Sequence, residues 1–153
     1  MSDPSDAVDN HSVRGGAVFL CVAVPFGDVL LYQKLRQPFI ARWTLPVGKV
    51  HADDMSIMAA AEREVAEKIG GLDVVIRHAG DCYIRVLHDG EPTITTFAHV
   101  FYGAVKDGSI ADHLQWVKLR ELDSYDTAPG VQDIVARTLF GDEFFFEEYQ
   151  VDW

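Results

Sequence analysis

The stretch GGAVFLCVAV, residues 15–24, most restricts what this chain can become. It is apolar at nearly every position, so as a strand it has no face suited to water and needs cover on both sides. The turn residues PFGD (25–28) follow, and then a second apolar run, VLLYQK (29–34). The pair reads as a hairpin at the centre of a layered structure.

The remaining pattern supplies the layers. SIMAAAEREVAEKIG (56–70) places Ile57, Ala60, Ala61, Val65 and Ile69 on one helical stripe, with Ser56 as its cap and Gly70 and Gly71 as its stop. Strands are predicted over 73–80, 82–89, 92–105 and 114–119. RELDSYD has the length of one helical turn, and PGVQDIVARTLF (129–140) reads as a second helix with Pro129 in its first turn. The tail GDEFFFEEYQVDW mixes acids and aromatics and is read as packing and surface, or as a cover over a site. Residues 1–13 are polar and acidic and are read as a disordered segment, leaving 14–153 as a single domain. The expected class is α/β, a mixed sheet flanked by helices.

Composition narrows the function classes. The 153-residue chain has a formal net charge of −11, which repels nucleic-acid backbones and argues against non-specific DNA or RNA binding. A small anionic substrate stays compatible, because a site can be locally positive or hold a cation. No apolar run approaches the roughly 18 residues of a membrane span, and the N-terminus lacks the apolar core of a signal peptide, so no membrane association and a cytoplasmic location are expected. Cys21 and Cys82 lie in separate apolar runs without CxxC spacing and are expected to be buried free thiols.

Within the first helix, Glu64 and Glu67 stand three apart and project to similar sides. Paired carboxylates at that spacing can hold a hard divalent cation, while an ion pair from Glu64 to Lys68 is the simpler alternative. The context favours the cation. TLPVGKV (44–50), a gap and REVAEKIG (63–70) together resemble the signature of the Nudix hydrolases: a glycine, five residues, a glutamate, seven residues, then Arg-Glu-apolar-x-Glu-Glu-x-Gly-apolar. Gly48, Arg63, Glu64, Val65, Glu67 and Gly70 match it. Val47 stands where the family usually has glycine, Asp54 stands in for the first glutamate, the loop is one residue longer, Lys68 replaces a glutamate that is a main metal ligand in the family, and Gly71 takes the place of the closing apolar residue.

The resemblance implies a Nudix-type α/β/α sandwich with a mixed β-sheet. It implies a pyrophosphohydrolase using Mg²⁺ (or Mn²⁺) on a nucleoside triphosphate or on a nucleoside diphosphate linked to another moiety. Glu64, Glu67 and the Val47 carbonyl would hold the metal. Arg63 would orient the site, paired with Asp54 or a box glutamate. Lys34, Lys68 and Arg36 would meet substrate phosphates. The exchange at Lys68 also allows a weakened or inactive nucleotide-binding or regulatory module. The expected partner is a small nucleotide, and a homodimer is left open. Of the other polar candidates, His99 is expected to be a hydrogen-bonded wall residue, and His51 a loop residue within reach of metal or substrate. Phe39, Trp43 and Tyr83 are large aromatics that could stack on a base but equally serve a core.

Overall fold

The computed structural model describes residues 12–24 and 27–152. The segment read as disordered lies outside the described residues, except for Ser12 and Val13, which open the first strand.

β1 (Ser12–Val24) runs through the sheet interior and pairs with β2 (Asp28–Gln33) as the expected antiparallel hairpin, with Ala23 opposite Val29. Two short strands, β3 (Trp43–Thr44) and β4 (Val47–Lys49), lie between the hairpin and the first helix. β4 lies antiparallel against β1, with Val18 opposite Gly48. Helix α1 (Ile57–Ile69) follows. Next come β5 (Leu72–His88), β6 (Glu91–Gly108), β7 (Leu114–Lys118), a 3₁₀ turn (Leu119–Ser124), helix α2 (Val131–Phe140) and β8 (Phe145–Asp152). Among the described residues these strands form an eight-stranded mixed sheet in the order β3-β2-β1-β6-β5-β8, with β4 on β1 and β7 on β2.

β1 is buried on both faces, as its composition requires. Val18, Leu20 and Val22 pack under α1 against Ala60, Ala61, Ile69 and Phe101. Ala17 and Cys21 point the other way, into a core closed by Val131, Ile134 and Val135 of α2. Each fully buried Val or Leu contributes on the order of 1.5–3 kcal/mol relative to exposure. The result is an α/β/α sandwich. Ser56 caps α1 as expected, its Oγ accepting from the Ala59 amide at 3.0 Å. Gly130, with φ 88°, turns the chain into α2, which begins two residues after Pro129.

Two departures from the sequence reading matter. The runs 73–80 and 82–89 are one strand, because Gly80 sits at a bulge rather than a break. The acidic aromatic tail is the edge strand β8, parallel to β5, with Phe145 opposite Gly80. No helix among the described residues is long and apolar enough to cross a membrane. Cys21 and Cys82 are buried free thiols, and burial pushes both up to about 12.

Candidate active site

The turn from β4 into α1 brings the matched residues together. β4 has only three residues, and their alternation divides two environments. Val47 and Lys49 face a cavity, while Gly48 faces α1. The Glu64 carboxylate lies against Gly48 in the space a Cβ would need, so only glycine fits there without displacing it. Glu64 is therefore not on an open helix face: its side chain is 3% exposed.

Arg63 fixes this carboxylate. Its Nη1 donates to Glu64 Oε1 at 2.8 Å and to Glu67 Oε2 at 3.3 Å. Its Nε and Nη2 form a fork onto Asp54 at 3.0 and 2.9 Å, and Nη2 also donates to the Lys49 carbonyl at 2.8 Å. The guanidinium thus ties the loop, β4 and α1 together. Asp54 accepts in addition from the His51 amide at 2.7 Å. The Arg63 hydrogen bonds, then the His51 amide, bring the Asp54 carboxyl down to about 2. Asp54 in turn raises the Arg63 guanidinium further.

Among the described residues, Glu64 Oε2 is a buried side-chain oxygen without a hydrogen-bond partner. Leaving a buried charged acceptor unmade costs more than the ~1–3 kcal/mol typical of a neutral group, so such an atom fits a site completed by a cation. Glu67, one helical turn on and half exposed, can supply a further oxygen. Val47 lies in the adjoining wall. The donors are hard oxygens, which suits Mg²⁺ or Mn²⁺.

Lys68 is exposed and makes no ion pair among the described residues. Glu64 is paired to Arg63, so the alternative of a Glu64–Lys68 ion pair is not what forms.

The cavity beside β4 measures about 870 Å³. It lies on the α2 side of the sheet. Phe19, Ile84, Val86 and Ile94 form much of its wall, Phe39 and Val131 close it, and Lys34, Lys49 and His51 supply polar groups. Burial lowers the Lys34 ammonium. Arg36 is exposed and is not part of the wall. Trp43 packs edge-on to Tyr125, with centroids 5.6 Å apart, as part of the core. Tyr83 also lies outside the wall. His99 is hydrogen-bonded, its Nδ1 lying 2.8 Å from Asp81 Oδ1. The aliphatic walls at Ile84, Val86 and Ile94 had no local signal, because their alternation is shared by any half-buried strand.

Comparison with known proteins gives the family and the fold. The sequence model of the NUDIX domain family matches residues 13–138. Among solved structures, the fold is similar to the MutT protein of Bacillus halodurans, with TM-score 0.70, 21% identity and coverage of 88% of each chain. It is also similar to a NUDIX hydrolase from Nitrosomonas europaea, with TM-score 0.66, 17% identity and coverage of 86% of this chain and 92% of that one. A third is the NUDIX domain of Shewanella oneidensis NrtR complexed with ADP ribose, with TM-score 0.61, 19% identity and coverage of 89% and 90%. No curated protein sequence matches.

Proposed function

This chain belongs to the NUDIX domain family, and on that premise we propose that it hydrolyses a pyrophosphate bond in a nucleotide derivative with the help of Mg²⁺ or Mn²⁺. The observation that carries the reading is the buried, unpartnered Glu64 Oε2 held over Gly48. Glu64 and Glu67, with the Val47 carbonyl, would hold the ion. Once bound, the ion would supply positive charge to the anhydride oxygens and favour attack by water.

The chain's own groups divide the remaining work. Arg63 holds Glu64 and Glu67 in register and neutralises part of their charge. The apolar cavity takes the organic part of the substrate, where Phe19 and Phe39 offer faces for a base or another flat group. Lys34 on the cavity wall reaches substrate phosphate, and its lowered ammonium reflects a partly dry position in which a counter-anion is favoured. Lys68, exposed and without an ion pair among the described residues, is a second phosphate contact at the solvent side. Arg36, exposed and outside the cavity wall, would meet phosphate only from the solvent side.

The family supports as substrate a nucleoside diphosphate linked to another moiety, or a nucleoside triphosphate, and an apolar cavity beside a cation-type site is compatible with either. ADP-ribose, present in the NrtR complex, belongs to the first class and is the natural first probe. A second reading rests on Lys68, which stands where the family signature has a carboxylate. In that reading the cleft binds nucleotide and turns it over poorly, serving regulation. Assay of nucleoside monophosphate release over ADP-ribose, nucleotide sugars, dinucleotides and triphosphates, with Mg²⁺ and with Mn²⁺, separates the two. The hydrolase reading expects turnover that Glu64→Gln lowers by roughly 100-fold or more, in the range typical for loss of an electrostatic catalytic group. Tight binding of a nucleotide with no turnover by the wild type under any condition supports the second reading and rejects the first.

A further inference from the structure

A second group of ligand-type side chains stands on the α1 face of the sheet, away from the box. His78 and Asp81 come from β5 and His99 from β6, and one ligand atom of each lies within 4.8 Å of the others. His78 Nε2 is 2.7 Å and His99 Nδ1 is 2.8 Å from the same oxygen, Asp81 Oδ1. We propose that His78, Asp81 and His99 form a binding site for a transition-metal dication of the Zn²⁺ class, separate from the Mg²⁺-type site at Glu64.

The backbone is arranged to make this grouping. Residues three apart in a regular strand point to opposite faces. The bulge between His78 and Gly80 adds one residue, so His78 and Asp81 emerge on the same side. Asp81 pairs with His99, and His78 with Phe101, which places all three side chains on adjacent positions of two neighbouring strands. Gly80 is required at the bulge, because a Cβ there would meet the ring of Phe145.

The surroundings hold the rings in place. His78 stacks on buried Phe101 with centroids 4.8 Å apart, and Phe144 packs edge-on to it at 5.0 Å. Phe97 packs edge-on to His99 at 5.0 Å. An apolar shell around imidazole ligands is common at metal sites, where it controls solvent access. The side chains keep 32%, 19% and 16% exposure for His78, Asp81 and His99, so an ion can enter and one coordination position is left to water.

The donor set, two imidazoles and one carboxylate, suits Zn²⁺, Co²⁺ or Fe²⁺ rather than Mg²⁺. A carboxylate oxygen accepts, so each ring nitrogen facing Asp81 has a hydrogen-bond role that a metal would replace. Metal binding requires each ring hydrogen on the opposite nitrogen, so that three lone pairs face the ion. Bonds of about 2.0–2.1 Å in a tetrahedral site put donors roughly 3.3 Å apart, so each imidazole nitrogen needs to move about 0.5–0.6 Å from Asp81 Oδ1, now at 2.7 and 2.8 Å. The location is distinct from the box: Gly48, Val18, His99 and Asp81 are successive partners across β4, β1, β6 and β5. His99 is thus two strands, roughly 10 Å, from the Gly48 backbone on which Glu64 rests.

The test is titration of tag-free, chelator-stripped protein with Zn²⁺ by calorimetry, and with Co²⁺ by visible absorption, both in excess Mg²⁺. The expected result is one Zn²⁺ per chain and a Co²⁺ spectrum showing nitrogen ligation. His99→Ala and the conservative His78→Gln should each weaken binding by at least the roughly 10–100-fold that even an outer-sphere partner is worth. A Glu64→Gln/Glu67→Gln double variant should bind Zn²⁺ like wild type. Absence of Zn²⁺ binding by wild type, unchanged affinity in His78→Gln or in natively folded His99→Ala, or loss of binding in the glutamate double variant would each overturn the site. Because His78 is partly exposed, His78→Gln decides the question even if His99→Ala does not fold.

Discussion

Gly48 and Glu64 share one small volume: the glutamate carboxylate fills the place where any side chain at position 48 would begin. Gly48→Ala therefore either displaces Glu64 or bends β4. A loss of about 1–3 kcal/mol is expected, the usual cost of forcing an extra methyl into a packed site. In a Glu64→Ala background the same change should cost much less, giving a coupling energy within the ~0.5–3 kcal/mol found for residues in contact. Urea unfolding of the four proteins measures it, and additive effects would show that the two residues do not meet.

Acid should unpick the loop through Asp54. Its carboxyl lies at about 2 in the folded protein, against about 3.9 in an unfolded chain. A depressed folded value means that the stabilisation is fully present above about pH 4 and is lost as pH falls towards 2. Asp54→Asn should flatten the stability profile in that window and leave its neutral-to-alkaline limb unchanged. Thermal unfolding from pH 7 to pH 2 reads this out, and an identical acid slope in the variant would rule out Asp54 as its source.

Lys68→Glu isolates the exchanged box position. Lys68 is exposed and unpaired among the described residues, so the change should shift stability by no more than about ±0.5 kcal/mol. Its effect should then appear in the cation requirement, beside any loss of the proposed phosphate contact. The Mg²⁺ concentration needed for half-maximal rate should fall, because a carboxylate replaces an ammonium beside two glutamates. A higher Mg²⁺ requirement in Lys68→Glu would show that the lysine serves catalysis instead.

The apolar cavity should set affinity rather than rate. Ile84→Trp places a large ring in the wall and removes space from the organic moiety. Steady-state kinetics should show a raised KM with kcat within a few-fold of wild type, the signature of binding shared equally by ground and transition states. A fall in kcat with unchanged KM would place Ile84 near the reacting groups.

Much of this was legible in the residues. The apolar run 15–24 demanded cover on both faces, and α1 and α2 supply it. Arg63 was expected to meet Asp54 or a box glutamate, and it meets both. What stayed hidden depended on register. Glu64 looked like a surface residue because helical spacing alone does not reveal that a glycine in the strand just before the helix makes room beneath it. β8 was missed although Phe145, Glu147, Tyr149 and Val151 alternate with Phe146, Glu148 and Gln150, because charged residues on both faces mask an edge strand's period. His78, Asp81 and His99 could not be grouped without the bulge at Gly80, whose extra residue no periodicity predicts.

The role of Glu64 is most directly open to a metal titration. Free Mn²⁺ followed by electron paramagnetic resonance, with wild type, Glu64→Gln and His99→Ala, measures the box site apart from any turnover. Wild type and His99→Ala should bind Mn²⁺ alike, and Glu64→Gln should bind it roughly tenfold or more weakly, the scale of losing a metal-site partner. Equal Mn²⁺ affinity in wild type and Glu64→Gln would contradict the assignment of Glu64 as the residue that holds the cation.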